Sequence, residues 1–239
     1  MRINRVGSVA VAERSAGGDA SSATLALQHF DGTHNSAIIP PDEILGSVWV
    51  NSGGDSLINT GVKKFGVAGI QHLNGSARIL LPQSIVVVNL TLPWTFEAQC
   101  LGGTSGKNAA PHTMRATSEN FAGVMLDVTL TAAPINTVTV KLIADDDSTI
   151  FEDTDPLVSD GSIFLHRAVV FDGASYSVYV NGVRIVNVAS VKPLKSPFYW
   201  LFSGAPGIGI QALDEARISQ VARYAGASFT PPAEAFMVD

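Results

Sequence analysis

The stretch "IFLHRAVVFDGASYSVYVNGVRIVNV", Ile163 to Val188, decides the fold. The run Ile163–Phe171 reads as a strand and ends at the turn Asp172-Gly173. "SYSVYV" follows, with Tyr176, Val178 and Val180 on one face. Asn181-Gly182 then makes a two-residue turn of the primed type, because both positions need positive φ and these residues tolerate it. "VRIVNV" returns, but its apolar residues switch face between Ile185 and Val186. That switch places a β-bulge there, or a strand buried on both sides. The three runs form an antiparallel meander.

Working outward, strand follows strand. "ATLALQHF" leads into "DGTHNS", "FGVAGIQHL" into "NGS" and then "ARILL", and "SIVVVNLTL" precedes "PWTFEAQCL". "NFAGVMLDVTLTA" and "TVTVKLIA" alternate as half-buried strands do. Helical periodicity is nearly absent, with at most one short turn near Pro40–Ile44 or Asp214–Val221. No internal repeat and no second domain boundary is visible. Many strands with frequent turns predict an all-β, antiparallel two-sheet β-sandwich of the jelly-roll type over residues 25–239. Residues 1–24 differ: "SAGGDASS" (Ser15–Ser22) reads as a flexible segment, and the whole as an N-terminal arm in which Val6, Val9 and Val11 could form a short strand against a neighbour.

Composition narrows the function. Of 239 residues, 46% are apolar and 15% charged, so the chain folds around a sizeable core and needs no covalent staples. The net charge of −6 and the lack of a basic stripe argue against a nucleic-acid partner. The lone Cys100 has no internal disulfide partner and reads as a buried, inert thiol. No signal-peptide core opens the sequence. The apolar run Ile79–Trp94 is too short and too interrupted to span a bilayer, so a soluble protein is expected.

Five segments then come in a familiar order: "LQHFDGT" (Leu27–Thr33), "KFGVAGIQHLNGS" (Lys64–Ser76), "WTFEAQ" (Trp94–Gln99), "HRAVVFDGASYSVYVNGVRI" (His166–Ile185) and "LDEARISQVARYAGASFTPPAEAF" (Leu213–Phe236). Together, over roughly Leu25 to Phe236, they resemble the laminin-G-like branch of the concanavalin A-like jelly rolls, in particular the copies in bacteriophage virion proteins and bacterial surface proteins. The resemblance implies two antiparallel sheets face to face, with first and last strands as neighbours. "LDEARIS" would then lie beside "LALQHF", with "ARYAGASFTPP" a lead-out over the sandwich edge and Tyr224 and Phe229 packed down as plugs. Residues 100–160 look longer and less regular than the family pattern.

No catalytic, cofactor-binding or metal-binding set emerges. "GGTSGKN" (Gly102–Asn108) lacks the first Gly of a phosphate loop and carries Asn108 in place of Ser or Thr. "GIGIQA" (Gly207–Ala212) leads into a strand, where a dinucleotide fingerprint needs a helix. Around Ser105 the second Gly of a nucleophile elbow is replaced by Lys107. His29, His34, His72, His112 and His166 are scattered, with no metal-ligand spacing. Asp214 and Glu215 are adjacent and, on a regular strand, point to opposite faces, which does not suit a glycosidase pair. The acids Asp145, Asp146, Asp147, Glu152, Asp153, Asp155 and Asp160 read first as a solvated loop; calcium is the alternative, since its ligands are hard oxygens. Of Tyr199 and Trp200 in "PFYWLF", core packing is favoured over stacking on a sugar.

These readings, with the resemblance, lead to the expectation of a non-enzymatic bacteriophage virion structural protein, needing no cofactor. It would be a capsid decoration, tail or fibre component on the particle surface, with the arm bound to other virion proteins and the sandwich in a closed homo-oligomer. The alternative is a glycan-binding adhesin for host attachment, calcium-assisted or not.

Overall fold

The computed structural model describes residues 23–46, 49–52, 56–73, 78–82, 84, 86–101, 112–117, 123–130, 135–158, 163–195, 199–203 and 211–238, with side chains left out at 112–117, 123–130, 135–138, 154–158, 199, 201, 203 and 211. Among these residues every regular element is a strand, and no helix is long and apolar enough to cross a membrane. The sequence readings at 1–22, 102–111 and 204–210, including the arm and both glycine-rich loops, lie outside the described residues.

Fifteen strands form two antiparallel sheets. β1 (Thr24–Gln28), β3 (Ser56–Asn59), β4 (Gly69–His72), β6 (Trp94–Leu101), β11 (Phe164–Phe171), β12 (Ser175–Val180), β13 (Val183–Ala189) and β15 (Gln211–Ser219) make the eight-stranded sheet. β2 (Val50–Ser52), β5 (Arg78–Pro82), β7 (His112–Thr117), β8 (Gly123–Leu130), β9 (Ile135–Ile143), β10 (Thr149–Val158) and β14 (Tyr199–Ser203) make the seven-stranded one. The first sheet runs β13-β12-β11-β6-β15-β4-β3, and β15 passes from β4 at Gln211–Leu213 to β1 at Ala216–Ser219. The second runs β10-β9-β8-β7-β14-β5-β2. The β1–β15 pairing, Thr24 opposite Ser219 and Gln28 opposite Ala216, is the neighbour relation that the family resemblance implies.

The meander forms as its turn residues dictate. Asn181 and Gly182 have φ of 49° and 78°, the left-handed pair that a primed turn requires. Val178 pairs with Val186 and Tyr179 with Arg184, so Ile185 is the extra residue of a bulge where the apolar face switches.

The core lies between the sheets. Phe96 and Ala98 of β6, Leu213, Ala216 and Ile218 of β15, and Leu165 and Val169 of β11 meet Ile79, Leu81, Val140, Leu142, Trp200 and Phe202 of the other sheet. Trp200 is fully buried, edge-on to Phe96 at 4.9 Å and to Trp94 at 6.0 Å. It is a core residue, with no surface for a sugar; the Tyr199 side chain is not described.

Three expectations change. "SIVVVNLTL" is not a strand: Val86, Val88 and Leu90 are buried and Val87 is exposed, but the Asn89 amide donates to Oε1 of Gln220 at 2.8 Å. Its period-2 pattern reflects packing under a side-chain bond with no sheet ladder among the described residues. Asp214–Ser219 is strand, leaving residues 43–45 as the short turn. Of the acidic segment, Asp145–Asp147 lie in a loop and Glu152, Asp153 and Asp155 on β10, while Asp160 lies outside the described residues. β10 is an edge strand, where acids and Pro156 discourage pairing with a second chain. The opposite edge of the larger sheet is capped by its own chain: the Asn35 amide donates to the Ile58 carbonyl, and the Ile58 amide to that of Ser36.

Candidate functional site

In a chain with so few charges, the buried charged residues stand out. On β6 and β15 the positions facing the other sheet are apolar, and the intervening ones carry Glu97, Gln99, Asp214, Glu215 and Arg217, all buried. They lie on the outer face of the eight-stranded sheet, which should be in water. It is not, because residues 220–238 run back across it as a strap.

The strap closes over Glu97. His166 Nε2 lies 2.9 Å from Oε2 of Glu97, Arg217 Nε donates to Oε1 at 2.8 Å, and the Tyr224 hydroxyl donates to Oε2 at 2.6 Å. Burial pushes the Glu97 carboxyl upward. The bond to His166 and the Arg217 charge outweigh it and hold the group at about 2. Tyr224 stacks on Phe229 at 3.8 Å, and both rings, with Phe236, stand edge-on to His166. The Tyr179 hydroxyl donates to the Gly226 carbonyl, and the Arg184 amide to that of Ala227. Tyr224 and Phe229 are thus plugs, as the family resemblance implies, but they seal the outer face over Ala168, Val170 and Tyr179; only Ala227–Phe229 reaches the β12–β13 edge.

A second assembly sits on the same face toward β4. A register shift between Asp214 and Ala216 makes Glu215 a bulge residue, with φ of 55°. Asp214 pairs with Gln99 on the outer side, and the bulge brings Glu215 there too. Both acids therefore share one face, in place of the opposite faces expected of a regular strand. Oδ2 of Asp214 accepts the Lys64 and Phe65 amides at 2.6 and 2.8 Å, and Oδ1 of Asp31 accepts those of Val67 and Ala68 at 2.6 and 2.8 Å. Two carboxylates thus hold the loop 63–68, with Gly66 between them at φ of 55°. Burial, with Glu215 and Asp31 adding to it and the two amides opposing, raises Asp214 to about 7.

His29 joins these pieces. Its Nδ1 lies 2.7 Å from Oε2 of Glu215 and its Nε2 3.0 Å from Oε1 of Glu43. The bond to Glu215 raises its pKa above the ordinary value against the opposing effect of burial. Oε2 of Glu215 also accepts the Phe236 amide at 2.9 Å. Sequence reasoning missed this cluster, because His29 and Glu215 stand 186 residues apart. The available signal was acids and an Arg inside otherwise apolar strands.

Elsewhere the candidate residues are engaged. Ser56 Oγ and His72 Nδ1 lie 2.9 Å apart, but both residues are buried, and burial lowers His72 to about 4. Cys100 is buried and its thiol pushed up to about 11 by that burial. His34 faces Thr60 at 3.3 Å, on the surface. The His112 side chain is not described. Asp146 accepts Lys192 Nζ and the Ser148 amide, and Asp147 pairs with Lys195. With the Ala144–Leu194 bridge, these pairs tie the β9–β10 turn to the segment after β13. Asp146 and Asp147 thus face lysines and turn amides. Among the described residues no group of three or more His, Cys, Asp or Glu is placed to hold a metal ion.

In sequence the chain matches no protein-family model and no curated protein. In structure it is similar to the binding domain of Paraclostridial Mosquitocidal Protein 1, with a TM-score of 0.61 and 13% identity over 85% of this chain and 50% of that one. It is similar to the botulinum neurotoxin serotype G binding domain, with a TM-score of 0.56 and 13% identity over 84% and 48%. It is also similar to domain 4 of AbnA, a GH43 extracellular arabinanase from Geobacillus stearothermophilus solved in complex with arabinotriose, with a TM-score of 0.53 and 16% identity over 84% and 93%. The chain thus spans about half the length of the toxin binding domains and nearly all of the arabinanase domain. These likenesses show the fold, an antiparallel two-sheet β-sandwich.

Proposed function

We propose that this chain is a non-enzymatic binding module whose sandwich recognises a surface glycan. The observation that carries the reading is the likeness to arabinanase domain 4 along 93% of that domain, which was solved holding arabinotriose. The toxin neighbours are likewise binding domains. The buried state of Glu97, Asp214 and Glu215 agrees with it, since a hydrolase needs its carboxylates open to substrate. With the outer face of the eight-stranded sheet under the strap and the loop 63–68, the glycan would meet another surface. A glycan array carrying arabinan oligosaccharides and bacterial envelope glycans tests this, with and without calcium. Saturable binding, confirmed by calorimetry, supports it, and an array blank in both conditions overturns it.

The finer reading is display on a bacteriophage particle, with residues 1–24 as the anchor to other virion proteins and the sandwiches in a closed ring. It rests on the five ordered segments that resemble virion copies of the fold. Stoichiometric peptides in density-banded particles would support it, and deletion of residues 1–24 should then abolish incorporation while leaving the sandwich folded. Absence from particles removes it and leaves the adhesin.

A further inference from the structure

Both ring nitrogens of His29 face carboxylates: Nδ1 lies 2.8 and 2.7 Å from Oε1 and Oε2 of Glu215, and Nε2 3.0 Å from Oε1 of Glu43. Nδ1 is hydrogen-bonded to Glu215 and Nε2 stands at ion-pair distance from Glu43, so two flanking carboxylates favour the imidazolium form of the ring. Glu215 in turn holds the strap through the Phe236 amide. We propose that His29 is a protonated clasp, and that its deprotonation releases the end of the strap around Phe236 from the outer face of the eight-stranded sheet.

The neighbouring groups set the direction. Glu215 and Asp214 face the site from β15, Glu43 from the turn 43–45, and Asp31 from the segment after β1. The loop 63–68 offers backbone amides, while Lys63 Nζ lies 3.4 Å from the Val67 carbonyl and Lys64 Nζ lies over the Phe65 ring. From the strap come the Phe236 amide and ring, the ring lying 4.6 Å from the Arg217 guanidinium. The surroundings of His29 are therefore mainly anionic. A neutral ring donates from one nitrogen and turns a lone pair toward the other carboxylate. As pH rises His29 loses its proton through its raised value and Asp214 loses its own at about 7, and each loss adds negative charge to a patch that is already acidic. The His29 contribution is fully present below its ordinary value of 6.5 and is lost as pH passes through the raised folded value.

The experiment is NMR on the full chain: imidazole nitrogen shifts of His29, and amide exchange at Phe236 with Phe96 of β6 as reference. The expected result is an imidazolium at about pH 6, and a Phe236 protection factor that falls about ten-fold by about pH 8.5 while that of Phe96 holds. His29→Gln should remove the step. A neutral His29 at about pH 6, an unchanged Phe236 protection factor, or equal losses at Phe96 and Phe236 would overturn the proposal. A step that persists in His29→Gln assigns the release to another group and overturns it too. If that variant does not fold, the nitrogen shifts and the two protection factors of the natural chain decide alone.

Discussion

Glu97 and Asp214 are both fully buried carboxylates, on adjacent strands and on the same face of one sheet, yet their proton affinities move in opposite directions. Glu97 has donors that carry charge or a strong dipole: His166, Arg217 and Tyr224. Asp214 has two backbone amides, two acidic neighbours and a buried Oδ1 with no hydrogen-bond partner among the described residues. Burial disfavours the charged form of both groups. The partners decide which one remains an anion and which one keeps its proton toward neutrality.

The contrast can be broken from either side. The largest effect is expected from Glu97→Ala, which removes the buried carboxylate shared by Arg217, His166 and Tyr224 and should cost about 3–5 kcal/mol by urea unfolding. In the natural chain the contribution of Glu97 is present above its ordinary value of 4.5 and lost as pH falls through about 2. Asp214→Asn should act in the opposite sense. The folded state keeps the Asp214 proton between 3.8 and about 7, where the unfolded chain has lost it, so stability falls as pH rises through that interval. The amide retains an oxygen for Lys64 and Phe65. The variant should therefore gain about 3 kcal/mol over the natural chain at about pH 8.5 and little at about pH 4, read from unfolding midpoints. Gly66→Ala places a Cβ on the Asp31 carboxylate at positive φ and should cost about 2 kcal/mol at either pH. Tyr224→Phe removes one hydrogen bond to Glu97 and keeps the stack on Phe229. It should cost about 1–2 kcal/mol and raise the pH at which acid unfolding begins.

The sequence made the sheet architecture legible where local chemistry or family order carried it. Asn181-Gly182 announces its own turn, and the face switch at Ile185 announces its bulge. The β1–β15 pairing came from the order of the segments. The strap's path did not, because Tyr224 and Phe229 say that a ring will be buried without saying on which surface. The Glu215 bulge was hidden for a different reason. Its positive φ falls on a residue with no preference for it, so nothing at that position marks the extra residue that brings two acids to one face. The His29 cluster needed both that bulge and the β1–β15 register, and so was out of reach until the fold was known.

The last two strands sit in the middle of their sheets. β15 joins β6 to β4 and β1, and β14 joins β7 to β5. Without residues 199–219 the larger sheet is left as β13-β12-β11-β6, β4-β3 and an unpaired β1, and the smaller as β10-β9-β8-β7 and β5-β2, with the inner edges open. Completion of either sheet therefore waits for residues 199–219, and is slow because its pairings are long-range and exposed to strand-edge association until they form. A ribosome stalled before Tyr199 should carry a nascent chain that a protease digests throughout.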